Sequence, residues 1–123
     1  MIPINELQAK IYQYLSDLDI KVYDEVPLNS PMPLISIGDY NLSSMEYKGE
    51  GYIFDWTINI YTEYEGKKQV NELVSKTINK LYELSESNLN DFYSVNDVML
   101  NNASINRLEG FYVANLSMRI EII

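Results

Sequence analysis

Asp17 with Asp19, and Glu63 with Glu65, are carboxylates set two positions apart. On a strand such a pair shares a face, whereas on a helix it diverges. One or two carboxylates with a substrate phosphate can hold magnesium, so metal-assisted chemistry is the first reading to weigh. The remaining parts of such a site are missing. Asp17 and Asp19 flank a helix end, and no basic or Gly-rich cradle for phosphate lies near either pair. Gly49-Glu50-Gly51 and the lone Gly66 lack the lysine and Ser/Thr of a P-loop, and no GxGxxG precedes a helix. These glycines read as turns, and no catalytic, metal-binding or cofactor-binding residue is assigned.

Two absences remove most other chemistry. The chain contains no cysteine, hence no disulfide framework, thiolate nucleophile or thiolate metal site. It contains no histidine, the commonest acid–base group and metal ligand. A zinc enzyme, a Ser-His-Asp hydrolase and a Cys-His protease are excluded. Formal net charge is −9, from 9 basic and 18 acidic residues, which opposes binding to a phosphate backbone. The acids are spread along the chain, as a solvated surface requires, or as a surface requires that must face DNA without adhering to it.

Tyrosine supplies eleven residues against one tryptophan and three phenylalanines. Aromatic stacking on single-stranded nucleic acid needs a cationic groove that this composition does not provide. Two readings stay open for the tyrosines: core edge with ordinary surface, or an interface, where a large ring with a polar tip is favoured.

The elements that must position these groups follow from periodicity. Ile4, Leu7, Ile11, Leu15 and Leu18 keep helical spacing, with Pro3 suited to the first turn, and predict a helix over residues 4–17. Val22 to Val26 is a short extended piece, and Pro27, Pro31 and Pro33 make the following loop. Leu34 to Tyr40 predicts a strand. Tyr52, Phe54, Trp56, Ile58 and Ile60 alternate with Asp55, Thr57 and Asn59 in the clearest strand of the chain. Val70, Leu73, Val74, Thr77, Ile78 and Leu81 form the stripe of a second helix. Two more strands, Val95 to Ile105 and Tyr112 to Ile122, are joined by a turn at Arg107-Leu108-Glu109-Gly110.

The expected fold is therefore α+β, a two-layer sandwich with two helices on one face of a mainly antiparallel sheet of four to five strands. With 123 residues, 46% hydrophobic and 22% charged, the expectation is one folded domain over 1–123. No run approaches the roughly 18–20 apolar residues of a membrane span, and the first ten residues do not read as a signal peptide. Asn41 to Gly51 reads as a polar loop. It is longer than the about two to five residues usual for a hairpin, which suits either a dispensable surface loop or a docking arm.

Val22-Tyr23-Asp24 with Pro27, the segment Pro33-Leu34-Ile35-Ser36-Ile37-Gly38, and the strand-to-helix junction Tyr64-Glu65-Gly66 together resemble the tail-completion, or tail-to-head joining, proteins of long-tailed bacteriophages, which are similar in fold to tail terminators. The resemblance covers nearly the whole chain. Its departure is the Asn-rich C-terminal hairpin, Asn96 to Gly110, which lacks the charged turn expected there. The resemblance implies a non-enzymatic virion protein that caps the tail tube, ends its polymerisation and contributes to the head–tail joint. Its implied partners are further copies of itself in a six-fold ring on assembly, the major tail tube protein and a head-completion or connector protein. DNA would pass through the lumen without specific binding, and no membrane is involved. Assembly is expected in the host cytoplasm, with the finished protein in the virion neck. Interface candidates are Met45, Glu46, Tyr47, Lys48 and Glu50 in the loop, Tyr61, Glu63 and Tyr64 at a strand end, and Arg107 and Glu109 at the last turn. The alternatives are a small regulatory or ligand-binding α+β domain with a pocket between the second helix and the sheet, or an acidic DNA mimic.

Overall fold

Leu7, Ile11 and Leu15 recur every fourth residue and are fully buried, so α1 (Ile4–Ser16) has one side committed to the core. Val70, Leu73, Thr77 and Leu81 do the same for α2 (Lys67–Tyr82). The computed structural model describes residues 1–45, 51–63 and 66–123. Its strands are β1 (Lys21–Tyr23), β2 (Leu34–Ser44), β3 (Tyr52–Thr62), β4 (Val95–Leu108) and β5 (Phe111–Ile122). They form one sheet in the order β1-β2-β3-β5-β4, antiparallel throughout except for the short parallel β1–β2 pair. The expected α+β arrangement of two helices against a mainly antiparallel sheet is what the chain adopts.

Register explains which face is buried. Ile35, Ile37, Phe54, Trp56, Ile58, Ile60, Ala114, Leu116, Met118 and Ile120 form the helix-side rows, and all join one core cluster with α1 and α2. The opposite face carries cross-strand pairs such as Asp55 with Arg119, Thr57 with Ser117 and Asn59 with Asn115, all half-buried. Alternation with period two thus separates an apolar side from a polar side, as a one-sided antiparallel sheet requires.

Three element boundaries differ from expectation. β2 runs to Ser44 rather than ending at Tyr40, because a bulge between Ile37 and Tyr40 resets the register. Past the bulge, Tyr40, Leu42 and Ser44 stand opposite Trp56, Phe54 and Tyr52. Gly38 sits inside that bulge, where a β-carbon would lie 3.0 Å from the Thr57 carbonyl oxygen, and its own carbonyl accepts from Trp56 Nε1 at 2.9 Å. The expected loop over Asn41–Gly51 therefore shortens to Met45–Gly51 between strands. β1 stops at Tyr23, short of Val26, and β4 continues to Leu108. That leaves Glu109 and Gly110 as a two-residue turn with Gly110 at φ 86°. Glycine takes that positive φ without the steric cost a β-carbon would bring.

The two helices are tied at one end. Lys80 on α2 reaches Asp17, just past α1, at 3.3 Å and its own neighbour Glu83 at 3.4 Å. Hydrogen bonding to Asp17, then to Glu83, raises the Lys80 pKa above its ordinary value of 10.5 against the opposing effect of desolvation. Asp17 thus has a structural partner, and Asp19 takes a turn conformation at φ 60°. Among the described residues no three or more Asp and Glu side chains cluster as metal ligands would.

Candidate functional site

The register separates the sequence-derived interface residues into two groups at opposite ends of the sheet. Met45 follows Ser44, which stands level with Tyr52, Ile122 and Val95. Tyr61, Glu63, Arg107 and Glu109 belong to the other end, where Tyr61 pairs with Val113 and Arg107 with Tyr112. The nine steps along β3 from Tyr52 to Tyr61 set about 30 Å between the two groups, at about 3.3 Å per strand residue. Glu46, Tyr47, Lys48, Glu50 and Tyr64 lie outside the described residues.

At the first end, Met45 does not present a surface: it is 6% exposed. Its amide donates to the Gly51 carbonyl at 3.0 Å, closing the base of the connection. A β-carbon on Gly51 would overlap Met45 Sδ and approach the Ile122 carbonyl oxygen to 2.8 Å. Met45 and Gly51 therefore pack as a clasp against the end of β5. An apolar side chain beside a glycine can fill the space the missing β-carbon leaves, which accounts for Met45 turning inward.

At the second end, Arg107 is engaged within its own hairpin. Its Nη1 donates to Tyr112 Oη at 3.1 Å, and the guanidinium carbon lies 5.3 Å from the Tyr112 ring centre. Tyr112 is 6% exposed and belongs to the core cluster, with Arg107 lying over its ring. Glu109 is exposed at the turn and Glu63 at the end of β3. Tyr61 lies on the polar-side face with its ring 6.3 Å from that of Phe111.

Beside Tyr61 is a groove that sequence reasoning missed. It has a volume of about 430 Å³ and is lined by Val26, Leu28, Met32, Leu34, Tyr61 and Phe111 among others. Leu28 is 94% exposed. The signal was present in Val26-Pro27-Leu28-Asn29-Ser30-Pro31-Met32-Pro33: apolar residues separated by prolines have no periodicity with which to enter a core. Asn29 takes φ 62°, which turns the chain so that Leu28 points outward.

The sheet also has two uncovered edges. On β4, residues Asn101 to Leu108 are all exposed, whereas the earlier part of the strand is covered by the segment after α2. Val95 exchanges backbone hydrogen bonds with Ser87 and Glu86 at 2.8 Å each, and the Leu100 amide donates to Tyr82 Oη at 3.3 Å. On the opposite edge, β1 pairs with β2 only from Leu34 to Ser36. Tyr40 to Ser44 lies beyond that pairing and is exposed apart from half-buried Leu42.

The described residues form a two-layer α+β fold with a one-sided sheet and two uncovered edges. Its backbone is similar to that of a chain in the solved structure "Virion of native gene transfer agent (GTA) particle", with a TM-score of 0.78 and 22% sequence identity over 94% of this chain and 93% of that one. At that identity the likeness establishes the fold. No family model and no curated protein matches the sequence.

Proposed function

We propose that this chain is a structural protein of a tailed, phage-like particle and acts as a tail terminator or tail-completion protein. One observation carries the reading: the fold matches a chain of a gene transfer agent virion over nearly the full length of both. The motifs Val22-Tyr23-Asp24 and Pro33 to Gly38 point the same way. In this role several copies, six in the expected ring, cap the tail tube, stop its growth and form part of the joint with the head. The neighbours are the tube protein on one side and a connector protein on the other. A net charge of −9 suits a lumen through which DNA slides, because like charge prevents the lysine–phosphate contacts that retain DNA. The chain's task is contact, and it has no catalytic step.

The connection between Met45 and Gly51 is the part proposed to reach a neighbouring subunit or the tube. The hydrogen bond from Met45 to Gly51 brings the loop ends together, so exchanging residues 46–50 for Asn-Gly leaves a two-residue turn that can keep this base. The test uses particles purified from the host that carries this gene. Mass spectrometry finds the chain in them, and disrupting the gene yields tails of uncontrolled length or heads without tails. Exchanging residues 46–50 for Asn-Gly gives a normally melting protein and the same defect. Particles that lack the chain, or that stay normal without it, refute the proposal. An exchange with normal particles refutes the arm alone.

A further inference from the structure

We infer that copies of this chain join edge to edge through their sheets, the open stretch Asn101–Asn106 of β4 in one copy adding antiparallel to the open stretch Tyr40–Ser44 of β2 in the next. The inference deepens the assembly reading, on which it rests for the need for several copies.

Four observations carry it. First, β2 and β4 bound opposite sides of the sheet past the reach of β1, and their outer backbone groups there have no strand partner among the described residues. Unpaired edge groups are a template for another strand, and a contact between two different edges propagates from copy to copy instead of stopping at a dimer. Second, successive antiparallel pairings from β2 through β3 and β5 to β4 make β2 and β4 run in opposite directions. A neighbour laid beside the sheet in the same orientation therefore meets it antiparallel.

Third, the usual guards are absent from these stretches. Edge strands are commonly protected by charge or proline. Here Asn-Asn-Ala-Ser-Ile-Asn and Tyr-Asn-Leu-Ser-Ser carry neither, in a chain where 22% of residues are charged. The β2 bulge precedes its open stretch, and of the two irregularities in β4 one lies between Val95 and Asp97 and the other at Asn101, which leaves Asn102–Asn106 in regular register. Fourth, the side chains match by face. Tyr40 and Leu42 point to the helix side, as do Ala103 and Ile105, while Asn41, Ser43, Ser104 and Asn106 point to the polar side. A register that keeps like faces together sets Leu42 opposite Ala103 or Ile105.

Within one copy Leu42 stands level with Val98 through Phe54 and Ile120. Pairing it with Ala103 or Ile105 of a neighbour, allowing for the β4 bulge, displaces each copy by about 13 to 20 Å along the strands. A sheet closes into a ring only with such a stagger and a matching strand tilt.

The chain has no cysteine, so introduced thiols report the contact directly. The full chain carrying Leu42→Cys with Ala103→Cys, or Leu42→Cys with Ile105→Cys, is oxidised at high protein concentration and resolved on a non-reducing gel. The β2 and β4 edges of one copy are about 14 Å apart across three strand spacings, too far for an internal disulfide. The expected result is a ladder of covalent oligomers in at least one pairing, at least tenfold above a control with Gln13→Cys and Glu72→Cys on exposed helix positions. A mixture of singly substituted chains gives heterodimers only. Adding Ile105→Asp to the Leu42→Cys, Ala103→Cys chain suppresses the ladder about tenfold. Yields at the control level in both pairings overturn the inference, as does efficient homodimerisation by Ile105→Cys alone, which would mean a two-fold contact between β4 edges. A chain found in particles but giving no ladder overturns the edge contact and leaves the assembly reading standing. A ladder from a chain absent from particles does the reverse.

Discussion

Replacing Gly51 by alanine tests whether the clasp with Met45 is as tight as its geometry states. The new β-carbon would overlap Met45 Sδ and lie 2.8 Å from the carbonyl oxygen of Ile122. The sulfur ends a flexible side chain and can move away, whereas the carbonyl belongs to the last residue of β5 and stands opposite Tyr52 and Val95. No left-handed φ is involved at Gly51, so the cost is steric. Overpacking of this kind destabilises by about 1–3 kcal/mol. For a chain of this length about 2 kcal/mol lowers the melting temperature by roughly 6–12 °C, and with an m-value near 2 kcal/mol/M it moves a urea midpoint down by about 1 M. Trp56 is 1% exposed and is the chain's one tryptophan, so its emission shift on unfolding is a clean assay. Shortening the sulfur-bearing side chain separates the two contacts. In Gly51→Ala, Met45→Ala the sulfur overlap is gone but the carbonyl contact stays, so part of the added loss from Gly51→Ala persists against a Met45→Ala background. A neutral Gly51→Ala variant, or one completely relieved by Met45→Ala, refutes the assignment of a rigid contact with β5.

Trp56→Phe removes the donor to the Gly38 carbonyl and leaves space between Phe54 and Tyr40; an unsatisfied acceptor together with lost packing is expected to cost about 2–4 kcal/mol, read by far-UV circular dichroism in urea. Gly110→Ala meets open space but must hold φ 86°, so it costs about 1–2 kcal/mol of backbone strain, and Gly110→Asn costs less in the same melt. While Asp17 is ionised, the raised Lys80 pKa makes their ion pair stabilising below pH 10.5, and that contribution is lost as pH rises through the raised value. Lys80→Met is therefore expected to flatten the alkaline decline in melting temperature relative to the parent, while identical alkaline profiles would show that the pair contributes nothing measurable. Raising salt from about 0.05 to 0.5 M shortens the screening length several-fold, so edge-to-edge cross-linking of this acidic chain should increase with salt; a decrease would place a charge pair in the contact.

Where hydropathy alternated without interruption, element type was readable. The stripe Leu7-Ile11-Leu15, the row Phe54-Trp56-Ile58-Ile60 and the turn before Phe111 all stand where periodicity put them. The extension of β2 was hidden for a physical reason: Gly38 and Asp39 bulge between Ile37 and Tyr40, so the period of two slips. Asn41 and Ser43, which belong to the polar side of a strand, then resemble a polar loop. Nothing local to Met45 distinguishes a methionine that packs on a distant strand end from one that projects. The placement of β4 beyond β5 depends on how α2 crosses the sheet, and no short window carries that. Of the candidate interface residues, Glu63 and Glu109 are exposed, Arg107 is hydrogen-bonded to Tyr112 and Met45 is buried.

The polar edges and the acidic surface belong to one design. A sheet whose two edges each hold an open stretch without charge, Tyr40–Ser44 and Asn102–Asn106, invites uncontrolled strand addition, and the ordinary remedy is a charge or proline on that stretch itself. This chain keeps its charge elsewhere: Asp24, Glu25 and Asp39 stand around the start of the β2 edge, and Glu109 and Glu63 around the far end of the sheet. With nine net negative charges per copy, free copies repel one another over a distance set by the screening length, while strand pairing acts only at contact. Association is then weak for free copies and becomes favourable when another surface holds them side by side, since that surface supplies the local concentration. Under the proposed function the end of a tail tube is such a surface. The acidic coat and the bare strand edges then act together: the coat delays assembly until a template is present, and the edges complete it.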